Sequence, residues 1–85
     1  MKHTLKIEQK YLIRILIGEK SFEIRKNDRD FQVGDEIDFL PLEDENLNVY
    51  ELCSPIPRYR ITYVHSGLGM ATEYVAMSIV EITKN

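Results

Sequence analysis

Residues 18–37 read GEKSFEIRKNDRDFQVGDEI, and this stretch decides the fold. Residues 21–26 alternate between polar and apolar side chains, which predicts a β-strand. Residues 27–30 are Asn, Asp, Arg and Asp, and residues 33–35 are Val, Gly and Asp. Since Asn, Asp and Gly readily adopt turn conformations, both segments are predicted to be turns. The stretch therefore predicts one charged strand followed by two turns.

The two faces of this strand differ in chemistry. Because side chains alternate across a strand, we expect Phe22 and Ile24 to face the core. Ser21, Glu23 and Arg25 then share the opposite face. A carboxylate and a guanidinium on one face have two interpretations, namely solvated cross-strand ion pairs or the lining of a ligand site.

Length and composition predict one globular domain, residues 1–85. The chain has 85 residues, of which 44% are hydrophobic and 29% charged, as in ordinary globular proteins. Its single cysteine, Cys53, cannot form an intramolecular disulfide, which favours a reducing, cytoplasmic location. The longest apolar cluster, residues 11–17, is far shorter than the roughly 20 residues of a membrane span. We therefore expect a cytoplasmic protein that is not embedded in a membrane.

Charge is distributed unevenly along the chain, whose net charge is −3. Residues 10–29 contain six basic and three acidic side chains, whereas residues 30–51 contain eight acidic side chains and no Lys or Arg. This asymmetry permits a local positive site on an acidic protein. It also leaves open an interaction module whose acidic stretch docks a basic protein partner.

The remaining periodicities predict one early helix and several short strands. Residues 9–17 place apolar side chains at i, i+4 spacing, and Gly18 follows as a suitable C′ residue. The expected strands are residues 4–8, 21–26, 36–42, 49–52, 58–64 and 74–82. The last of these is apolar on nearly both faces, which predicts a strand buried on both sides. The predicted class is α+β, a small, mostly antiparallel β-barrel of five to six strands with one early helix.

The sequence predicts no metal site and no cofactor. His3, His65 and Cys53 lack metal-ligand spacing, so we expect structural histidines and a buried free thiol. The chain contains no hydrolase triad, P-loop or dinucleotide fingerprint. Most enzyme classes therefore have no supporting motif.

Three tyrosines in the C-terminal half have two interpretations. Tyr59, Tyr63 and Tyr74 are either platforms on which bases stack or tyrosines of the core and the barrel edge. Alternation over residues 58–64 predicts that Tyr59 and Tyr63 lie on the same face as Ile61.

Basic residues cluster around the charged face of the strand at residues 21–26. Arginine donates planar, bidentate hydrogen bonds to phosphate or to a base edge, and lysine supplies a mobile point charge. A carboxylate accepts hydrogen bonds from exocyclic amino groups of bases. These residue types suit RNA or a nucleotide-like small molecule. The candidate binding residues are Lys20, Ser21, Glu23, Arg25, Lys26, Arg29 and Tyr59.

The motif residues resemble a known family. Residues 18–25, which read GEKSFEIR, and the VGD turn at residues 33–35 resemble the G-x-K-x-x-x-x-R pattern and the following turn of ASCH domains. ASCH domains belong to the PUA-like superfamily of small β-barrels. Residues 22–31 are similar to a compact bacterial and phage-associated ASCH-like subgroup of unknown function. The resemblance extends over nearly the whole chain, up to the closing strand at residues 74–79.

The resemblance implies a cleft beside the early helix that binds RNA or a nucleotide-like ligand, with Lys20 and Arg25 carried over as site residues. Some ASCH-related proteins are amidohydrolases that act on acetylated cytidine with a Lys, a Thr and a Glu. Lys20 matches that Lys, but Glu23 stands at the position of the Thr, and residues 66–72 are too short for the helical region that carries the Glu. The leading expectation is a non-enzymatic binding module. The alternative is a small amidohydrolase in which Lys20 activates a nucleophile and Glu23 is the general base.

Overall fold

Five strands form a single sheet that curls into about half of a barrel. The computed structural model describes residues 1–82. The elements are β1 (Lys2–Ile7), α1 (Gln9–Leu16), β2 (Phe22–Lys26), β3 (Glu36–Pro41), α2 (Val49–Leu52), β4 (Arg58–His65) and β5 (Tyr74–Glu81). The strand order is β1-β3-β4-β5-β2, with a parallel β1–β3 pair and three antiparallel pairs. The predicted α+β, mostly antiparallel class with one early helix is confirmed.

The core lies between the inner side of the sheet and the two helices. Strands β1, β3, β4 and β5 and both helices contribute buried apolar side chains. The most deeply buried are Leu5, Leu12, Ile37, Val49, Ile61 and Met77. Within residues 1–82, neither helix has the length and hydropathy needed to cross a membrane.

Helix α1 ends as its sequence predicts. Gly18 follows the C-cap residue Ile17 and has a φ of 85°, a left-handed conformation that suits glycine. The Glu19 N–H donates to the Arg14 carbonyl (3.0 Å), and the Gly18 N–H donates to the Ile15 carbonyl (3.1 Å). These two bonds form a Schellman motif, which satisfies the last carbonyls of the helix and reverses the chain toward β2.

The prediction of a strand at residues 49–52 is wrong, because this segment forms the short helix α2. The Asn48 side chain accepts a hydrogen bond from the Tyr50 N–H (3.1 Å) and thereby caps the helix. The Val49 N–H donates to the side-chain carbonyl of the buried Gln9 (2.8 Å), and Val49 itself is fully buried. The hydrogen bonds to Asn48 and Gln9 stabilise a helix here, although valine by itself favours a strand.

Two predictions about strand faces are also wrong. Phe22 and Ile24 of β2 are 44% and 50% exposed, and Glu23 between them is buried. In β5 only one face is buried, since Tyr74 and Val80 lie in solvent at 42% and 50% exposure. Both helices pack on the inner side of the sheet, and no element within residues 1–82 covers its outer side.

A β-bulge in β4 reverses the face on which Tyr63 lies. The register with β5 passes from Ile61 opposite Ile79 to Tyr63 opposite Ser78, so Thr62 is an extra residue. Ile61 faces the core as predicted, whereas Tyr63 faces outward at 61% exposure. The bulge therefore overturns the predicted alternation at Tyr63.

The VGD turn and the first histidine have structural roles. The Gly34 N–H donates to the Ile61 carbonyl (2.8 Å), which fixes the predicted turn against β4. Next to it, the buried Asp35 accepts hydrogen bonds from the His3 ring (2.8 Å) and the Gln32 N–H (3.1 Å). His3 is 4% exposed, as expected of a structural histidine. Cys53 is a free thiol, but it is half-buried and not fully buried as predicted.

Candidate functional site

The two end strands of the curled sheet, β1 and β2, approach each other along a seam. Two arginines from the β2 region donate to carbonyls on the β1 edge. Arg25 Nη2 lies 2.6 Å from the Lys6 carbonyl oxygen, and Arg29 Nη1 lies 3.0 Å from the Thr4 carbonyl oxygen. Side chains, and not a backbone ladder, therefore connect the two ends of the sheet.

A cleft of about 550 Å³ opens along this seam beside α1. We call it the seam cleft. One part of its wall is charged and another is apolar and aromatic. It is lined by Lys6, Ile7, Glu8, Tyr11, Lys20, Phe22, Glu23, Ile24, Arg25 and Leu42.

Glu23 holds two cations at the wall of the seam cleft. Lys20 Nζ lies 3.0 Å from Glu23 Oε1, and Arg25 Nε lies 2.7 Å from Glu23 Oε2. The Glu23 side chain is only 6% exposed, while those of Lys20 and Arg25 are 18% and 25% exposed. A buried carboxylate is tolerated when cations and hydrogen bonds compensate it, which explains why a charged residue takes an inward position here. These three residues, which we call the Glu23 ion cluster, carry a net charge of one positive unit.

The end of α1 places Lys20 in the cleft. After the Schellman turn, the Lys20 N–H donates to the Arg14 carbonyl (3.1 Å), which fixes the lysine backbone against the helix. Its ammonium lies 4.9 Å from the centre of the Phe22 ring and 5.7 Å from the centre of the Tyr11 ring. Both distances allow cation–π attraction, so two aromatic rings and a carboxylate together position Lys20.

The predicted candidates Ser21, Lys26 and Arg29 lie around the seam cleft but not in its lining. Ser21 is exposed, and its carbonyl accepts from the Ile79 N–H (3.0 Å), which begins the β2–β5 pairing. Lys26 and Arg29 line a separate cavity of about 290 Å³ on the other side of Arg25. Of the predicted site residues, the structure therefore brings together Lys20, Glu23 and Arg25.

Tyr59 lies in the core and not in the seam cleft, contrary to its inclusion among the predicted binding residues. It is 5% exposed, and its ring centre lies 5.7 Å from that of Phe39. Burial raises the pKa of the Tyr59 hydroxyl, and the nearby Glu81 and Cys53 add to the rise. Of the two interpretations considered for this tyrosine, the core position is the observed one.

Several cleft residues were missed. The sequence predicts Tyr11 only as a helix residue and directs Phe22 and Ile24 to the core, whereas all three line the seam cleft. Lys6 joins the site through the parallel pairing of β1 with β3, which local periodicity does not reveal. A signal was available in the sequence, since Tyr11 and Phe22 lie on either side of Lys20 along the chain. A lysine with aromatic residues on both sides favours cation–π contacts, which would have indicated Tyr11 and Phe22 as neighbours of Lys20.

Two carboxylates outside the cleft have lowered pKa values. Burial alone would raise the pKa of Asp35, but hydrogen bonds from His3, the Gln32 N–H and the terminal amino group outweigh burial and lower that pKa. Hydrogen bonds from Arg58 Nε (2.8 Å) and Nη2 (3.1 Å) lower the pKa of Asp38. Both carboxylates serve the structure of the sheet and its turn.

The fold and the site together define a class, a small α+β half-barrel with an ion-lined cleft between its end strands. Residues 2–79 match the profile of a family described as a domain of unknown function (DUF3850). Because the match covers most of the chain, the protein belongs to this family. A comparison with curated proteins finds no match.

Proposed function

We propose that this protein is an RNA- or nucleotide-binding module of the ASCH/PUA-like type, and that the seam cleft receives a single base or nucleotide. The observation that carries the proposal is the position of Lys20, whose ammonium lies within about 6 Å of the Tyr11 and Phe22 ring centres and contacts Glu23. Aromatic faces stack on bases, and ammonium groups contact phosphate. A cleft that combines the two suits a nucleotide better than a purely apolar or a purely charged ligand.

Each member of the Glu23 ion cluster has a distinct role in this proposal. Glu23 already accepts from Lys20 and Arg25 through different oxygens, so it holds the two cations in place and does not read the base directly. Arg25 uses Nε and Nη2 for Glu23, and Nη2 also for the Lys6 carbonyl. Within residues 1–82 this leaves the Nη1 side of the guanidinium for a phosphate or a base edge. Lys20 supplies the second positive charge next to the rings.

The proposal is tested by thermal shift and titration with AMP, CMP, GMP, UMP, the matching nucleosides and short RNAs. A ligand at about 100 times its dissociation constant stabilises the folded state by about 2.7 kcal/mol. For a domain of this size that corresponds to a rise in melting temperature of roughly 10–20 °C.

Matched variants localise the binding. Lys20→Ala and Tyr11→Ala should weaken mononucleotide binding at least tenfold. The controls Lys2→Ala, on the exposed start of β1, and Tyr50→Ala, a half-exposed tyrosine on α2, should leave that binding unchanged. Affinity should also fall with rising salt concentration, because phosphate contacts release counterions. If no compound in the panel binds at low salt, or if all four variants bind equally, the proposal fails.

A second candidate is a small amidohydrolase that splits an acetylated cytidine with water into cytidine and acetate. The 3.0 Å contact between Lys20 Nζ and Glu23 Oε1 favours it, since it brings the two residues of the suggested catalytic pair together inside the cleft. Against it, both oxygens of Glu23 already bind cations, which leaves no free carboxylate oxygen to act as a base. Incubation with acetylated cytidine tests it. Release of cytidine that is lost in Glu23→Gln would support the hydrolase, and no release would exclude this substrate.

A further inference from the structure

On the outer face of the sheet, small side chains along β5 lie between larger ones on β2 and β4, and we call this strip the β5 groove. The register aligns Phe22 of β2, Ser78 of β5 and Tyr63 of β4 in one row across three strands. Neighbouring strands lie roughly 4.8 Å apart, so the two aromatic residues flank the serine at a backbone separation of about 10 Å. In this row, Ser78 forms the floor of the groove, and Phe22 and Tyr63 form its two sides.

The next row repeats this arrangement. It aligns Ile24 of β2, Ala76 of β5 and His65 of β4. Beyond it, Tyr74 of β5 lies opposite Lys26 of β2. The groove is therefore floored by small residues over two successive rows and ends at a tyrosine and a lysine.

The aromatic side chains of this groove are unusually accessible. Phe22, Tyr63 and Tyr74 are 44%, 61% and 42% exposed, and Ile24 beside them is 50% exposed. Contiguous apolar patches on the surface of a protein mark sites of interaction with other molecules. The β4 bulge is what directs Tyr63 to this face.

Charge on the outer face differs in sign from that of the whole chain. Strand positions on this face carry five basic residues, Lys2, Lys6, Lys26, Arg58 and Arg60, and two acidic residues, Glu36 and Asp38. The chain as a whole has a net charge of −3. Glu36 and Asp38 pair with Lys2, Arg58 and Arg60, and the positive charge that remains in excess on these strand positions favours a polyanion. An isologous contact with a second copy would oppose two faces of the same charge.

The groove is continuous with the seam cleft, because Phe22 and Ile24 belong to both. We infer that single-stranded RNA occupies this path, with one base in the seam cleft and the following bases stacked against Phe22 and Tyr63 along β5. This inference rests on the proposed function and adds the ligand class, a single strand of several nucleotides in place of an isolated mononucleotide. Exposed aromatic rings with basic residues beside them are the arrangement by which single strands are bound without base pairing.

The test compares affinities for AMP, CMP and UMP with those for the hexanucleotides of adenylate, cytidylate and uridylate. Because two additional bases stack, we expect a hexanucleotide to bind roughly 30-fold or more tightly than its monophosphate, and we call this ratio of affinities the gain. Tyr63→Ala and Ser78→Glu should each reduce this gain at least fivefold while affinity for the monophosphate stays unchanged. Both positions are exposed, so the fold tolerates the changes, and Tyr50→Ala on α2 is the matched control that keeps the full gain.

The outcomes separate the two proposals. If monophosphates bind but hexanucleotides gain nothing, or if the gain survives in both groove variants, the groove inference is overturned and the proposed function stands. If neither class of ligand binds, both are overturned. Sedimentation of the protein without RNA provides a further check, because a dimer that dissociates in Tyr63→Ala would assign the groove to self-association and overturn the RNA path.

Discussion

Replacement of Arg25 by alanine should lower the free energy of unfolding, because this residue connects the two ends of the sheet and neutralises a buried carboxylate. Its guanidinium donates to Glu23 Oε2 (2.7 Å) and to the Lys6 carbonyl (2.6 Å). Removal of the side chain leaves Glu23 with Lys20 as its one remaining cation within residues 1–82. The same change also detaches β2 from β1 at this point of the seam.

The magnitude follows from these contacts. Hydrogen bonds to charged groups contribute about 1.5–3 kcal/mol each. Arg25 makes one such bond to Glu23 and one to Lys6, and it is 25% exposed, so water partly replaces it. We therefore expect a loss of about 2–4 kcal/mol. For a domain of this length, that loss lowers the melting temperature by roughly 10–25 °C.

Urea denaturation of the wild type, Arg25→Ala and the control Arg60→Ala measures this loss. Arg60 is an exposed arginine whose Nη2 lies 3.5 Å from Glu36, a surface pair that is expected to contribute less than about 1 kcal/mol. In a Glu23→Gln background, the cost of removing Arg25 should fall by at least about 1 kcal/mol, since the buried charge is gone. If Arg25→Ala costs no more than Arg60→Ala, Arg25 does not connect the sheet as described. Additive losses in the double variant would show that Arg25 does not neutralise Glu23.

Three further changes test other parts of the fold. The pKa of Asp35 is lower in the folded than in the unfolded state. Its contribution to stability is therefore fully present above the unfolded-state pKa and is lost as the pH falls through the folded-state pKa. Urea denaturation from pH 7 to pH 2.5 should therefore show a shallower acid loss in Asp35→Asn than in the wild type, and equal slopes would contradict this. Gly18→Ala should cost about 1 kcal/mol, because alanine is strained at a φ of 85°, and an unchanged denaturation midpoint would contradict the Schellman assignment. Met77→Ala should cost about 2–5 kcal/mol, since Met77 is fully buried, and a loss below 1 kcal/mol would place it outside the core.

Local sequence signals predicted the elements whose formation depends on nearby residues. The helix over residues 9–16 and its glycine end follow from i, i+4 spacing and from the conformational freedom of Gly18. The strands at β1, β2, β3, β4 and β5 follow from alternation and turn residues. The helix α2 was missed because its stability comes from the Asn48 cap and from Gln9, which is 40 residues away from Val49 in sequence.

The faces of the strands depended on contacts that are distant in sequence. The inward position of Glu23 requires Lys20 and Arg25 to compensate it, which hydrophobic periodicity does not represent. The outward position of Tyr63 follows from a bulge that the pairing of β4 with β5 creates. Sequence motifs therefore found the charged half of the seam cleft, while its aromatic half became visible only with the position of β2 at the end of the sheet.

The two arginines of the seam also hinder the pairing of β1 with a strand of another molecule. An edge strand with available carbonyls is a template on which a strand of another molecule can pair, and this is the first step toward aggregation. On β1 the carbonyls of Thr4 and Lys6 are occupied by Arg29 and Arg25 of the same chain. A foreign strand would have to displace two charged donors before it could pair there. The residues that close the half-barrel therefore also limit its polymerisation.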